Sequence, residues 1–385
     1  MESPLFPVDA TASLSRRQWF RRAGTSAMAL AVAPHLPAWS QAPVVGRVRR
    51  GDEPVRLNSN ENPYGPSPSA REAMTAAFDE ACRYPYAGAT EALVARIAER
   101  EGVTPEHVLV GCGSGEILAM AGMTYGLHGG EIVAADPTYQ GMLTYAEGVG
   151  AYVHRVPLTD DLVHDFVAME RRVTPATRLV FVCNPNNPTA TIAPPAAVRD
   201  FCETVSSRAV VFVDEAYIDL LDDPAAHTMI DLVHQGRDVI VARTFSKIHG
   251  LAGMRIGYAI ARPDIIARIA AYRMGSPNVL GVRAAIASLQ DTAFQAYSRA
   301  RIAEGRSFVN AVLDEVGYRY TTSHANFVFF HTGVPIQQFQ KTMSDLGVLV
   351  ARPFPPLLDW CRVSIGTTEE LQVFATALRS TASRG

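Results

Sequence analysis

Lys247 lies just past the apolar run Val239 to Ala242, in Arg243-Thr-Phe-Ser-Lys247-Ile-His-Gly-Leu-Ala-Gly-Met-Arg255, with Arg255 eight positions later. An amine that condenses with an aldehyde needs a partly desolvated pocket, where burial lowers its pKa and frees its lone pair. The small residues Ser246, Gly250, Ala252 and Gly253 let backbone approach a flat ligand, and Arg255 can anchor a phosphate. Lysine plus phosphate anchor points to a Schiff base with pyridoxal 5′-phosphate. Alone, Ser246-Lys247 would describe an exposed lysine on a glycine-rich turn, so the other segments must decide.

Three of them share one design, an apolar run ending in polar residues. Leu179-Val-Phe-Val-Cys183 leads into Asn184-Pro-Asn-Asn187-Pro-Thr189-Ala190. Ala209-Val-Val-Phe-Val213 leads into Asp214-Glu215-Ala216-Tyr217, and His107-Val-Leu-Val110 into Gly111-Cys-Gly113-Ser114-Gly115. Short β-branched runs separated by amphipathic stretches predict buried strands of a parallel α/β sheet. Ligands of such sheets bind beyond the carboxyl ends of the strands, where these polar residues stand.

Each polar residue then has a task. Ser114 and Gly115 open a helix, whose positive end can hold a phosphate. Asp214, at the end of an apolar strand, needs a cationic partner. A pyridinium N–H is one, and keeping that nitrogen protonated makes the ring an electron sink. Asn187 and Tyr217 can donate to a phenolate oxygen on the same ring, and Tyr139 can stack on its face. Asparagine, proline and glycine clusters are also ordinary turn residues. Four strand ends, each bearing the residue type that one cofactor needs, argue for the site.

From about Leu57 to Arg379 the chain resembles the fold-type I pyridoxal-phosphate aminotransferases, and within them the histidinol-phosphate aminotransferase subfamily. The matching segments are Asn58-Ser-Asn60-Glu-Asn62-Pro-Tyr64, Tyr84-Pro-Tyr86, Asn184 to Thr189, Asp214 to Tyr217 and the lysine segment. Asn326-Phe-Val, Gly347 to Arg352 and Arg362-Val-Ser-Ile-Gly366 complete the set. The resemblance implies a large, mostly parallel sheet domain, a smaller α/β C-terminal domain, and a homodimer. It implies catalytic roles for Lys247, Asp214 and Tyr217, and a phosphate site of Ser114, Gly115, Ser246 and Arg255, with Tyr64 reaching across from the partner. Asn60, Arg352 and Arg362 are the implied substrate ligands. An amino donor would give its nitrogen to a 2-oxo acid such as 2-oxoglutarate in a ping-pong cycle, Lys247 moving the donor's Cα proton. Two positions depart from the pattern. Gly115 stands where an aspartate is common, and Ala190, where glycine is common, is expected to be tolerated at negative φ.

The amino terminus carries a second signal. Ser15-Arg16-Arg17-Gln18-Trp19-Phe20-Arg21 matches the twin-arginine export pattern, and Ala23 to Ala33 is an alanine-rich apolar stretch. That stretch is far shorter than the roughly 20 residues of a membrane span. Ser40-Gln41-Ala42 fits a small-x-small cleavage site, so residues 1–42 are read as a signal peptide, the twin-arginine translocase as a transient partner and the periplasm as the destination.

Composition agrees. The net charge is −3, and the first 42 residues hold four arginines and two acids, which leaves −5 for the rest. That balance predicts neither nucleic-acid binding nor stable membrane association. Five cysteines are an odd number without metal-ligand spacing, so neither a metal site nor a structural disulfide is expected. The expected organisation is an arm over 43–73, a large cofactor domain over 74–283, and a bridging helical stretch (Ala284 to Val316) with the small domain over 284–385. Two alternatives use the same residues. One is a lyase or decarboxylase resembling threonine-phosphate decarboxylase. The other is a silent ligand-binding module, against which Lys247, Asp214 and Tyr217 argue.

Overall fold

The computed structural model describes residues 53–84 and 88–382; the twin-arginine pattern, the cleavage site and Tyr86 lie outside them. The strands in chain order are β1 (Val55–Arg56), β2 (Val108–Gly111), β3 (Glu131–Asp136), β4 (Tyr152–Pro157), β5 (Thr177–Cys183) and β6 (Val210–Asp214). β7 (Val239–Thr244), β8 (Gly257–Ile260), β9 (Phe327–His331), β10 (Val348–Leu349) and β11 (Trp360–Ser364) follow. Seven of them form one sheet in the order β2-β8-β7-β6-β5-β3-β4.

The central strands β5, β6 and β7 are buried along their length except at Arg178. Val180, Val182, Val211, Val213, Val239 and Val241 belong to one apolar cluster. Their neighbours Leu179, Phe181, Val210, Phe212, Ile240 and Ala242 belong to another. Alternate residues of a strand point to opposite faces, so both faces of the sheet are covered. The register sets Cys183 beside Asp214 and Asp214 beside Ala242, which aligns three strand ends at one edge.

The sheet is mostly parallel, as expected, and strand β8, between β7 and β2, is its antiparallel member. The connection from β7 holds only the 3₁₀ turn Ala252–Met254, not the helical crossover that a parallel return uses. The lysine loop is therefore clamped between two adjacent strands.

The helical stretch expected over Ala284 to Val316 is two helices, Val279–Gln290 and Thr292–Val316. Asp291 divides them, its carboxylate accepting the Phe294 N–H at 3.0 Å as the cap of the second. Val282, Ala284 and Ala285 of the first pack into the large sheet's core. Ile302, Val309, Val312 and Leu313 of the second pack with β9, β11 and the helix Thr368–Ala382.

The arm returns to that second cluster: β1 pairs with β10 in parallel, and the Ser364 N–H donates to Leu57 O at 2.9 Å. Ala190 does not meet the condition of negative φ. It sits at φ 61°, its N–H closing a turn on Asn186 O at 2.8 Å. A left-handed alanine costs about 1–2 kcal/mol; complete burial of its methyl among apolar side chains offsets part of that.

Below the strand ends, Arg243 donates to Glu215 Oε2 at 3.0 Å, Glu101 Oε1 at 2.9 Å and Thr228 Oγ1 at 2.8 Å. Both carboxylates and the guanidinium are almost wholly buried. Breaking a buried pair leaves an uncompensated charge. Arg243→Ala should therefore lower the unfolding free energy by about 3–5 kcal/mol. Chemical denaturation will show it, and a change within the range of a surface substitution would contradict the role given to this network.

Candidate active site

A cavity of about 420 Å³ opens at the carboxyl ends of β5, β6 and β7. The volume lies within the usual range for small-molecule sites. Lys247 Nζ donates to the Asn60 backbone oxygen at 2.7 Å. Burial lowers its pKa to about 8, with help from the Arg362 charge and against the pull of Asp214. Asp214 is the reciprocal case. Burial raises its carboxyl to about 7, opposed by the Ala216 N–H and by Lys247. Its hydrogen-bond donor among the described residues is that one backbone N–H, at 3.2 Å. A carboxylate so placed suits a cationic ring nitrogen.

A second part of the cavity suits an anion. Gly113 caps the helix Ser114–Gly126 at φ 81°. A Cβ there would lie 2.5 Å from Arg255 Nη2, so the guanidinium stands directly against the helix start. A Cβ on Gly257 would collide with Ser114 N. Glycine at both positions lets β8, the helix start and Arg255 close into a cradle of backbone N–H groups and one cation, which fits a phosphate. Ser246 sits at the rim, its Oγ accepting from Thr244 Oγ1 at 3.0 Å.

Tyr217 also lines the cavity, buried, with its phenol kept neutral at all ordinary pH by burial. Its hydroxyl accepts from Asn60 Nδ2 at 2.9 Å and Asn187 Nδ2 at 3.2 Å. Arg362 Nη1 holds Asn187 Oδ1 at 2.7 Å, and Nη2 donates to Asn58 O at 3.2 Å. Burial brings the Arg362 pKa down to about 10, which leaves it fully cationic at neutral pH. Its guanidinium carbon lies 5.4 Å from the Phe327 ring centre and 4.9 Å from that of Phe354.

Asn60, Ser114, Gly115, Tyr139, Asn187, Asp214, Tyr217, Ser246, Lys247, Arg255 and Arg362 thus line one cavity. Arg352 lines an adjoining pocket instead, its guanidinium 4.6 Å from the Phe354 ring centre. Tyr64 is outside the cavity of its own chain and packs edge-on against Tyr297 at 5.8 Å. Sequence reading missed Asn58, Thr244 and Ser364. Ser364 had a signal available: it stands two residues after Arg362 in a strand and so shares its face.

The amine's chemistry is testable. With its pKa lowered to about 8, Lys247 is neutral at a pH where an ordinary lysine is still protonated. Covalent capture of pyridoxal 5′-phosphate by cofactor-free protein should accelerate as pH rises and level off above about 8. Stopped-flow absorbance follows it, with Lys247→Ala as the variant that captures nothing. A rate still climbing at the pH of a free lysine would contradict the burial effect.

The model of the family "Aminotransferase class I and II" matches residues 52–378. The chain is 38% identical over 355 residues to histidinol-phosphate aminotransferase of Moorella thermoacetica, covering 91% of each protein. It is 38% identical over 324 residues to aromatic amino acid aminotransferase of Mycobacterium tuberculosis, covering 83% of this chain and 90% of that one. The crystal structure of histidinol-phosphate aminotransferase from Sinorhizobium meliloti in complex with pyridoxal-5'-phosphate superposes with a TM-score of 0.79. There the identity is 26%, over 89% of this chain and 97% of that one. These likenesses favour transamination over the lyase reading and an enzyme over a silent module. The chain, with its cavity suited to a ring nitrogen, an amine and a phosphate, belongs to the class I and II aminotransferases and is a pyridoxal 5′-phosphate-dependent enzyme.

Proposed function

We propose that the enzyme moves an amino group from an aromatic amino acid, or a related donor with an anionic end, to a 2-oxo acid such as 2-oxoglutarate. The observation that carries this reading is Arg362, a buried cation at the cavity wall. A guanidinium pairs two oxygens of a carboxylate. The relatives named above act, by their names, on histidinol phosphate and on aromatic amino acids.

Pyridoxal 5′-phosphate supplies, when bound, the reactive carbonyl and the electron-withdrawing ring. Lys247 Nζ would hold it and would take the donor's Cα proton as general base. Asp214 would accept the ring nitrogen's proton in a hydrogen bond, and Ser114, Gly115, Ser246 and Arg255 would hold the phosphate. Asn187 and Tyr217 would meet the phenolic oxygen, and Tyr139 would cover the ring. Arg362 binds the donor's anion, with Arg352 in the adjoining pocket as a second cation for a longer donor. A homodimer belongs to this reading, Tyr64 of each protomer extending to the other's cofactor phosphate.

A panel of amino donors, with and without a phosphate, tests the substrate class. Arg362→Ala should raise donor KM by roughly tenfold to a hundredfold, the loss of a charge-assisted hydrogen bond. Arg352→Ala should hurt phosphorylated donors more than aromatic amino acids. Equal, small effects of both substitutions on every donor would refute anion recognition by these arginines.

We also propose export by the twin-arginine route with the cofactor already bound. That route carries folded cargo, and the five cysteines, all free, require no oxidising compartment. Export removes the enzyme from cytoplasmic histidine synthesis, which favours aromatic donors. Lysine at positions 16 and 17 should retain active, cofactor-bound enzyme in the cytoplasm with Met1 to Ala42 attached. Fractionation and N-terminal sequencing decide it; uncleaved wild-type protein in the cytoplasm would overturn export and return the histidine pathway to the front.

A further inference from the structure

We infer that Ser364, acting through the Asn60 carboxamide, is a positioning residue that aims the Tyr217 hydroxyl proton into the cavity; this rests on the reading that Tyr217 faces the cofactor's phenolic oxygen. Asn60 then serves the cofactor side of the site instead of binding substrate.

A phenol has one proton to donate and two lone pairs to accept with. Asn60 Nδ2 and Asn187 Nδ2 both donate to the Tyr217 oxygen. With its lone pairs engaged, the hydroxyl proton has to point away from both amides. Tyr217 lines the cavity, and that is the remaining direction for it.

The arrangement holds only while each amide presents NH₂ and not its oxygen. A carboxamide rotated by half a turn would offer Oδ1, and the phenol would donate to it and lose its donor toward the cavity. Asn187 is locked by Arg362, which occupies its Oδ1. Asn60 is locked by Ser364, whose Oγ donates to Asn60 Oδ1 at 3.0 Å. Ser364 is buried, at 2% exposure, so water does not compete for that proton. Arg362 and Ser364 lie two residues apart on β11 and face the same way, so one strand sets both amides. The backbone of Asn60 is fixed independently, its carbonyl receiving Lys247 Nζ. Both ends of its side chain are therefore engaged inside the protein.

A hydrogen bond donated to the phenolic oxygen stabilises that oxygen's anionic form and lowers its proton affinity. The pH titration of the holoenzyme's cofactor absorbance reads this without turnover. Ser364→Ala frees the amide to rotate and should raise the titration midpoint by about half a unit to one unit. Ser364→Thr retains the hydroxyl and should keep the wild-type midpoint. Tyr217→Phe should raise the midpoint by itself, and adding Ser364→Ala to it should then change nothing. An unchanged midpoint in Ser364→Ala, beside a shifted one in Tyr217→Phe, overturns the relay alone. Equal shifts from Ser364→Ala in both backgrounds overturn it too, as a purely structural effect. A silent Tyr217→Phe overturns the reading of the tyrosine and the relay with it. Should Ser364→Ala not fold, Asn60→Ala must raise the midpoint through Tyr217, or the proposal fails.

Discussion

The structure is organised around a buried amine and a buried carboxyl in one cavity, neither fully compensated by the protein. Burial brings Lys247 down to about 8 and Asp214 up to about 7. Both shifts cost folding free energy, because each group's charged form is less stable here than in water. A cofactor that offers a cationic N–H to one and an electrophilic carbon to the other relieves both. The central strands supply the burial and the Arg243 network below supplies rigidity. Glu215, next to Asp214 in sequence, faces the opposite way, and its charge is met by Arg243.

The arm is the second requirement. Its alternating asparagines reach separate parts of the molecule: Asn60 to Tyr217, Asn62 to Ile248 O and Ser298 Oγ. Asn326 Nδ2 in turn donates to Glu61 O from the C-terminal cluster. Three backbone atoms of the arm, the carbonyls of Leu57, Asn58 and Asn60, receive Ser364, Arg362 and Lys247. A short extended segment thereby ties β11, the lysine loop and the strand-end tyrosine together. It owes its ordering to these bonds, since a two-residue β1 pairing is too small to hold it.

Much of this was legible in the sequence for identifiable reasons. Residues buried on both faces must be apolar throughout, so β5, β6 and β7 announce themselves, and the polar residues after them mark the site. What hid was whatever depends on neighbours distant in the chain. Gly257–Ile260 is too short and too close to the lysine loop to be separated as an antiparallel strand. Asp291 breaks a helical pattern that apolar periodicity alone carries straight through. The left-handed backbone at Ala190 is imposed by the turn that Asn186 O closes, and alanine gives no warning of it. Ser364 is an ordinary strand serine until β11 is seen against the arm.

Gly115 shows how one departure is absorbed. A side chain there would start 3.7 Å from Arg255 Nη2, so an aspartate would place a carboxylate against that cation. The neighbouring Glu116 does not replace it. Its Oε2 accepts from Cys112 N at 2.6 Å, and its Oε1 from Met274 N at 3.3 Å and Gly275 N at 3.2 Å. That acid is spent on stapling two loops beneath the helix start. Among the described residues, the one acceptor for the Arg255 guanidinium is the Ala252 carbonyl at 3.0 Å. An undiluted cation at the positive end of a helix strengthens the field on a dianionic phosphate. Glycine at this position removes the negative charge of a neighbouring carboxylate without opening the cradle, because the backbone N–H groups and Arg255 define its walls.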